Sequence, residues 1–265
     1  MYDFTYKKAS SIDDATSSVA GADEGVFMSG GLTLLPTLKL RLANPSDVVD
    51  LAGIDGLAGI SVGGGAVEVG AMTRHAAVNQ SSDVAGAIPA LAKLAGGIGD
   101  PAVRNRGTIG GSIANTDPAA DYPAAVVGLG ATVHTNKREI AGDDFFTDLF
   151  ETALEDGEMV TKVSFPAPEK AAYMKFPNPA SRSAIVGVFV AKTANGARVA
   201  VTGAGSCVFR VPEMEAALDA SFTPEAVENI SIPDGDLNSD IHASAEYRAH
   251  LVTVMAKRAV AQANG

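Results

Sequence analysis

Two runs of glycine and hydroxyl residues, each opening into an expected helix, constrain this chain more than anything else in it. The first is Ser29-Gly30-Gly31-Leu32-Thr33-Leu34. The second is Gly107-Thr108-Ile109-Gly110-Gly111-Ser112-Ile113-Ala114-Asn115, followed by Asp117-Pro118-Ala119-Ala120-Asp121. Such a run builds an anion cradle without positive side chains. Backbone N–H groups aim at the anion, glycine lets the backbone come close, and the helix N-terminus adds partial positive charge. Two such loops imply a ligand with a diphosphate. Neither matches GxGxxG, nor the Walker A pattern with its Gly-Lys-Ser/Thr end. The order of elements is not the regular β–α–β alternation of a Rossmann domain.

The totals exclude several classes of function. At 265 residues the chain fits two or three units. Hydrophobic residues at 46% and charged residues at 19% make it globular. No apolar run reaches the ~18 residues of a membrane span, and the N-terminus shows no secretory pattern, so a cytoplasmic location is expected. A net charge of −11 repels nucleic acid and anionic lipid. An anionic ligand must therefore be held by local backbone dipoles against the global field. The one cysteine, Cys207, sits in an apolar stretch and reads as a small buried hydrophobe. It cannot hold an iron–sulfur cluster or a structural zinc, which need about four ligands. The four histidines show no metal-binding spacing. No metal site and no acid–base catalyst is predicted, so redox chemistry here would need an organic cofactor.

Along the chain, the alternation of Tyr2, Phe4 and Tyr6 predicts a half-buried strand, and Ser10 or Ser11 can cap a helix facing inward with Ile12, Ala15 and Val19. Val26–Met28 reads as a strand, Pro36 as the first turn of a helix over 37–41, and Val48–Leu51 as a strand. Gly63-Gly64-Gly65 between two alternating segments reads as a hairpin turn rather than a phosphate loop. A helix presents Ile88, Leu91, Ala92 and Ala95 on one face. A small-residue helix is expected over about 119–129, with strands at 131–134 and 159–165. Pro166-Ala167-Pro168-Glu169-Lys170 is the best linker candidate. Beyond it, Asn195-Gly196 joins two β-rich runs, 184–193 and 197–202, and a third strand is expected near Cys207-Val208-Phe209. A closing helix over about 243–260 carries Tyr247, Leu251, Val254 and Arg258 on one side.

Ser29 to Pro36, with Lys39-Leu40-Arg41-Leu42, resembles the first FAD loop in the flavoprotein subunits of molybdenum hydroxylases. Ile98 to Arg106 and Thr108-Ile109-Gly110-Gly111 resemble the second. Asp144-Phe145-Phe146, Phe150 to Leu154, Lys175-Phe176-Pro177 and Ser244 to Arg248 also fit, so the similarity covers nearly the whole chain in order. It is identified as similar to medium subunits of the carbon monoxide dehydrogenase and xanthine dehydrogenase class. The resemblance implies an α+β fold: a two-subdomain FAD-binding domain of the vanillyl-alcohol-oxidase (PCMH) type over 1–168, with subdomains of roughly 1–56 and 57–168. A C-terminal α+β domain with a small antiparallel sheet and helices would follow over 171–265. It further implies FAD on this chain, with a molybdenum cofactor on a large partner subunit and two 2Fe–2S clusters on a small one. The heterotrimers would pair into a heterohexamer, and the FAD would pass electrons to an external acceptor.

Site roles follow, each beside a plainer one. Ser29, Gly30, Gly31, Leu32, Thr33 and Leu34 would cradle the diphosphate, or form an ordinary turn. Thr108 would donate its hydroxyl to a phosphate while Gly110 and Gly111 permit close approach, with Ser112 and Asn115 adding donors; the plainer reading is a capped strand-to-helix connection. Valine at Gly31 and Gly110 together is expected to expel the ligand and spare the fold. Asp121, repelled by a diphosphate, would accept from a ribose hydroxyl or serve the helix dipole. Asp117 reads as a local cap. Lys175 corresponds to a lysine beside the flavin N1–C2=O edge in relatives, or is a surface lysine at a strand end. Ile98 and Val160 match apolar positions that pack on the cofactor, which core packing also explains. Arg104 and Arg106 fit bonds to loop carbonyls better than steering of the diphosphate. Ser183 stands where many relatives place a tyrosine against the flavin. A free-standing FAD-dependent oxidoreductase with its own substrate pocket is the alternative, and a non-enzymatic dinucleotide-binding protein a third. The sequence names neither the substrate nor the acceptor.

Overall fold

Ser11 starts the first helix. Its backbone is extended and its hydroxyl accepts the Asp14 N–H at 3.0 Å, so the helix Ile12–Ala20 begins where the cap dictates. In the computed structural model, which describes residues 1–265, that helix packs on a parallel sheet of three strands. These are β1 (Thr5–Lys8), β2 (Gly25–Met28) and β3 (Asp47–Asp50), in the order β1-β3-β2. Ala15, Val49, Leu51, Ile54 and Leu57 form its small core, together with Met159 from far along the chain. The strand expected from Tyr2, Phe4 and Tyr6 starts later and is not half-buried. Tyr2 and Tyr6 are 47% and 55% exposed, because β1 is an edge strand and the Tyr6 hydroxyl reaches out to Asp50. The helix after β2 is Leu34–Lys39, earlier than Pro36 alone suggests.

A second sheet is antiparallel. β4 (Ile60–Gly63) and β5 (Ala66–Gly70) form a hairpin, joined later by β6 (Thr132–Thr135) and β7 (Glu139–Ala141). A small separate hairpin, β8 (Phe146–Asp148) with β9 (Glu151–Thr152), precedes β10 (Val160–Pro166). The sheet order is β4-β5-β10-β6-β7. Gly64 and Gly65 turn the first hairpin with φ of +60° and +79°, as a two-residue turn of this hand requires. The triple glycine is therefore a turn. Helices Pro89–Gly96, Ile109–Asn115 and Tyr122–Gly128 cover this sheet with Leu91, Leu94, Ile109, Ile113 and Ala125.

The third sheet is a meander of β11 (Lys170–Pro177), β12 (Ala184–Thr193), β13 (Gly196–Thr202) and β14 (Phe209–Arg210). Asn195-Gly196 turns β12 into β13. The linker candidate is only a short step between β10 and β11, and it is tied down: Ala167 N–H bonds Gly65 O and Glu169 N–H bonds Lys192 O, both at 2.8 Å. Alternation splits β13 between two cores. Val199 and Val201 face the C-terminal helices, while Ala200 joins Tyr173 and Phe189 in the core beneath the second sheet.

The closing helix, Ala245–Asn264, buries Arg248, Leu251, Val252, Met255, Ala256, Ala259 and Val260. The expected face of Tyr247, Leu251, Val254 and Arg258 is thus displaced around the helix. Tyr247 and Arg258 are exposed, and Arg248 goes inside because buried carbonyls await it. Its Nη1 donates to Ile185 O at 2.6 Å and Gly203 O at 2.9 Å, and its Nη2 to Asp240 at 2.7 Å. Arg248→Met should leave those carbonyls and Asp240 without a partner and lower unfolding free energy by about 3 kcal/mol. Urea denaturation checks this; a loss below about 1 kcal/mol would mean the carbonyls find other donors.

Candidate functional site

A cavity of about 870 Å³ lies between the first and second sheets, and both glycine runs line it. That size is within the range of small-molecule and cofactor sites. Strand β2 delivers Ser29 to the cavity, and Gly31, at φ +75°, turns the chain into the short helix. Across Ser29, Gly30, Gly31, Leu32, Thr33 and Leu34, no backbone N–H meets an acceptor within the protein. Gly30 and Gly31 are buried, and buried N–H groups are almost always paired, so unpaired donors there are an anion-binding feature.

The second run does something different. Thr108 caps the helix Ile109–Asn115: its hydroxyl accepts the Gly111 N–H at 3.1 Å and donates to the Ser29 hydroxyl at 3.2 Å. Ile109 N–H bonds Thr73 O, Gly110 N–H bonds Ala71 O at 2.9 Å, and Ser112 N–H bonds Thr108 O. The N–H groups from Ile109 to Ser112 are thus engaged internally, and so is the Thr108 hydroxyl expected to reach a phosphate. Its glycines serve loop packing. A Cβ on Gly110 would lie 2.6 Å from Ala71 Cβ and 2.8 Å from Ala71 O. One on Gly111 would strike the Ser29 hydroxyl, and one on Gly30 the Arg106 carbonyl. Valine at Gly110 would therefore disrupt the wall itself, contrary to the expectation that the fold is spared. Ser112 and Asn115 line the cavity with side chains that make no hydrogen bond inside the protein.

Asp121 lines the cavity too, but its carboxylate is engaged. It is 4% exposed and accepts from the Tyr173 hydroxyl at 2.5 Å and from Lys175 Nζ at 2.9 Å. Burial pushes the Asp121 carboxyl above the ordinary carboxylate range, opposed by Lys175 and Tyr173. Lys175 does not line the cavity; it stands behind Asp121. Its other two donors meet Gly97 O at 2.9 Å and Arg182 O at 2.8 Å, which uses all three N–H bonds of the ammonium. Arg104 holds the adjoining loop through Ile98 O and Gly99 O, both at 3.0 Å, as the loop-carbonyl reading expects. Arg106 makes no such bond. Ile98, Val160 and Ser183 line the walls, and Asp117 closes a local turn onto the Ala119 N–H at 2.8 Å.

Two residues escape the sequence reading. Tyr173 shares a face of β11 with Lys175, a period-2 relation visible in the chain. Gly187 on β12 leaves room for its hydroxyl, a partner that the chain cannot show. His75 lines the cavity, 4% exposed, with its ring packed against the side-chain-free face of Gly107. Its Nδ1 has no partner, nor does the hydroxyl of Tyr122, whose ring centre is 5.3 Å away. Burial, with Arg104 nearby, lowers the His75 pKa to about 4, so the imidazole is neutral at physiological pH.

Residues 2–168 match the family described as the FAD binding domain in molybdopterin dehydrogenase, and residues 171–263 match the CO dehydrogenase flavoprotein C-terminal domain. The chain belongs to the FAD-binding medium subunits of molybdenum hydroxylases. Among these flavoproteins it is 34% identical to the nicotine 6-hydroxylase medium subunit of Paenarthrobacter nicotinovorans, over 97% of this chain and 96% of that one. It is also 34% identical to the carbon monoxide dehydrogenase medium chain of Afipia carboxidovorans, over 98% and 96%. The solved structure of reconstituted CO dehydrogenase from Oligotropha carboxidovorans superposes with a TM-score of 0.90 at 31% identity, covering 98% of this chain and 97% of that one. The mixed α+β architecture expected from the sequence is thus the one observed. The cradle fits the flavin dinucleotide of this family, since unpaired N–H groups and free Ser112 and Asn115 side chains suit a diphosphate with polar appendages.

Two outcomes follow from this geometry. His75 is protonated more readily unfolded, near 6.5, than folded, near 4. Stability is therefore full above pH 6.5 and falls as the pH drops below it, by about 2 kcal/mol down to pH 5. Chemical denaturation of His75→Leu should lack that part of the acid limb. Separately, Gly30→Ala should cost about 1–3 kcal/mol through its backbone clash and weaken ligand retention. Gly63→Ala, which meets open space at the hairpin, should leave retention unchanged, as flavin content after gel filtration would report.

Proposed function

We propose that this chain is the electron-transfer subunit of a heterotrimeric molybdenum hydroxylase. Its FAD takes electrons from 2Fe–2S clusters on a small partner subunit and passes them to an external acceptor. A large partner subunit holds the molybdenum cofactor and oxidises the substrate, and two heterotrimers pair. The observation that carries this reading is the row of unpaired N–H groups from Ser29 to Leu34, residues that line a cofactor-sized cavity. The FAD supplies the redox chemistry when bound; this chain's residues bind, orient and shield it. The first loop would hold the diphosphate, Ser112 and Asn115 would add donors, and Ile98 and Val160 would supply apolar walls.

The charged groups along the cavity support an electron-carrying role over acid–base catalysis. Asp121 is held by Lys175 and Tyr173. Glu158 is held by Arg138, Thr135 and the Glu155 N–H, which keep its carboxyl at about 2 despite its burial. Burial raises the Cys207 thiol, which opposes thiolate chemistry. No trio of His, Cys, Asp or Glu gathers into a metal site, so the clusters and molybdenum would come with partners. Relatives are named as medium subunits or chains, which supports a multi-subunit assembly here. No helix is long and apolar enough to cross a membrane, in keeping with a cytoplasmic assembly. Phe27 is the only Phe, Tyr or Trp on the cavity wall, and Ser183 lines it beside Ser181. We read that part of the wall as an open approach for the acceptor.

Native purification of the complex with flavin, iron and molybdenum analysis tests this. One FAD per chain, with both metals on co-purifying subunits, is expected. Release of FMN, or robust substrate turnover by this chain alone, would overturn it.

A further inference from the structure

The wall of the cavity at residues 117–121 is held only in part by the unit that contributes it: Asp117 accepts the Ala119 N–H through its side chain and the Ala120 N–H through its carbonyl. Three successive carbonyls there accept hydrogen bonds from the C-terminal sheet. Pro118 O accepts from Gly203 N–H at 2.8 Å, Ala119 O from Ala184 N–H at 3.1 Å, and Ala120 O from the Thr202 hydroxyl at 2.6 Å. The Thr202 hydroxyl also lies 3.0 Å from Pro118 O. Asp121 follows at once, fixed by Tyr173 and Lys175 of the same sheet. Asp117, Ala119, Ala120 and Asp121 line the cavity, whereas Thr202, Gly203 and Ala184 do not.

The sheet is shaped for this task. Thr202 is 1% exposed and ends β13 on the face turned toward the cofactor domain. Gly203 turns there with φ +85°, and a side chain on it would lie 2.6 Å from Ala184 O and 2.7 Å from Ile185 O. Its carbonyl and that of Ile185 are fixed from behind by Arg248. Bonds therefore run without a break from the closing helix to the cavity wall. The wall segment leaves the left-handed Thr116, at φ +39°, and has a single Asp117-capped turn of its own before the helix Tyr122–Gly128.

We propose that Thr202 is a positioning residue for the cofactor. Through the Pro118 and Ala120 carbonyls it sets where the 117–121 wall stands, so cofactor affinity depends on a C-terminal side chain that never touches the cavity. The proposal rests on the FAD reading above. It predicts that losing the hydroxyl while keeping the shape loosens the wall and weakens binding.

The test titrates FAD into the full chain, stripped of flavin, following fluorescence quenching and the visible circular dichroism of bound flavin. Thr202→Val should raise the dissociation constant about tenfold, the scale of one lost buried hydrogen bond, and alter the dichroism. Thr202→Ser, which keeps the hydroxyl, should restore both. Val199→Ala, on the opposite face of the same strand in the C-terminal core, should lower the thermal midpoint and leave the dissociation constant alone. If Thr202→Val fails to fold, Thr202→Ala with the serine variant reads the same contrast. A Thr202→Val constant within twofold of wild type, or equal weakening by Val199→Ala, overturns the proposal. A wild-type chain that binds no FAD overturns instead the reading on which it rests.

Discussion

The structure depends on two backbones meeting with only a pair of hydroxyls between them. Gly30 lies on the Arg106 carbonyl, Gly111 lies on Ser29, and the Ser29 and Thr108 hydroxyls bond across the seam. That contact fixes the first sheet against the second and so creates the cavity. It also divides the labour between the loops. The second loop has its own N–H groups engaged by Thr73, Ala71 and Thr108, so it is rigid. The first is held against that rigid surface and keeps its N–H groups unpaired. A cradle of unpaired donors is unstable if it must hold its own shape, because nothing internal rewards the conformation. Docking it on a satisfied neighbour removes that difficulty.

Electrostatics follow the same division. A chain with net charge −11 has to bind an anionic dinucleotide against its own field. Two of the acids that reach the cavity are neutralised by cations, and under the proposed reading the attraction would be left to backbone dipoles. Asp121 is matched by Lys175 and Glu158 by Arg138. The nearby cations are likewise engaged: Arg104 on two loop carbonyls, Lys175 on two carbonyls and a carboxylate. The buried acids of the cavity, Asp121 and Glu158, are thus both held by cations, which suits a site that holds a cofactor rather than moving protons.

The C-terminal sheet is a structural part of the candidate site. It supplies Tyr173 and Lys175 to Asp121, Phe189 and Ala200 to the core beneath the second sheet, and three donors to the 118–120 carbonyls. A further ion network joins the units, with Asp143 between Arg198 and Arg210 and Arg210 paired to Glu215. From Ala184 to Ala191 the face of β12 turned toward the cofactor domain is as buried as the face beneath the helices.

The sequence by itself determined what is local. The Gly64-Gly65 and Asn195-Gly196 hairpins, the Ser11 cap, the Asp117 turn and the grip of Arg104 on its own loop all rest on residues a few positions apart. Conformational preference at that range is written in residue type. Tertiary structure decided what depends on distant partners. Gly30, Gly110 and Gly111 look alike in the chain, yet only the first loop keeps a run of donors free, because the carbonyls of Ala71 and Thr73 reach the second from elsewhere. Lys175 and Asp121, assigned separately to the cofactor, were brought to each other, since a buried carboxylate is stable only with a cation and a donor beside it. Arg248 turned inward for the same reason, toward carbonyls that no reading of its own helix reveals.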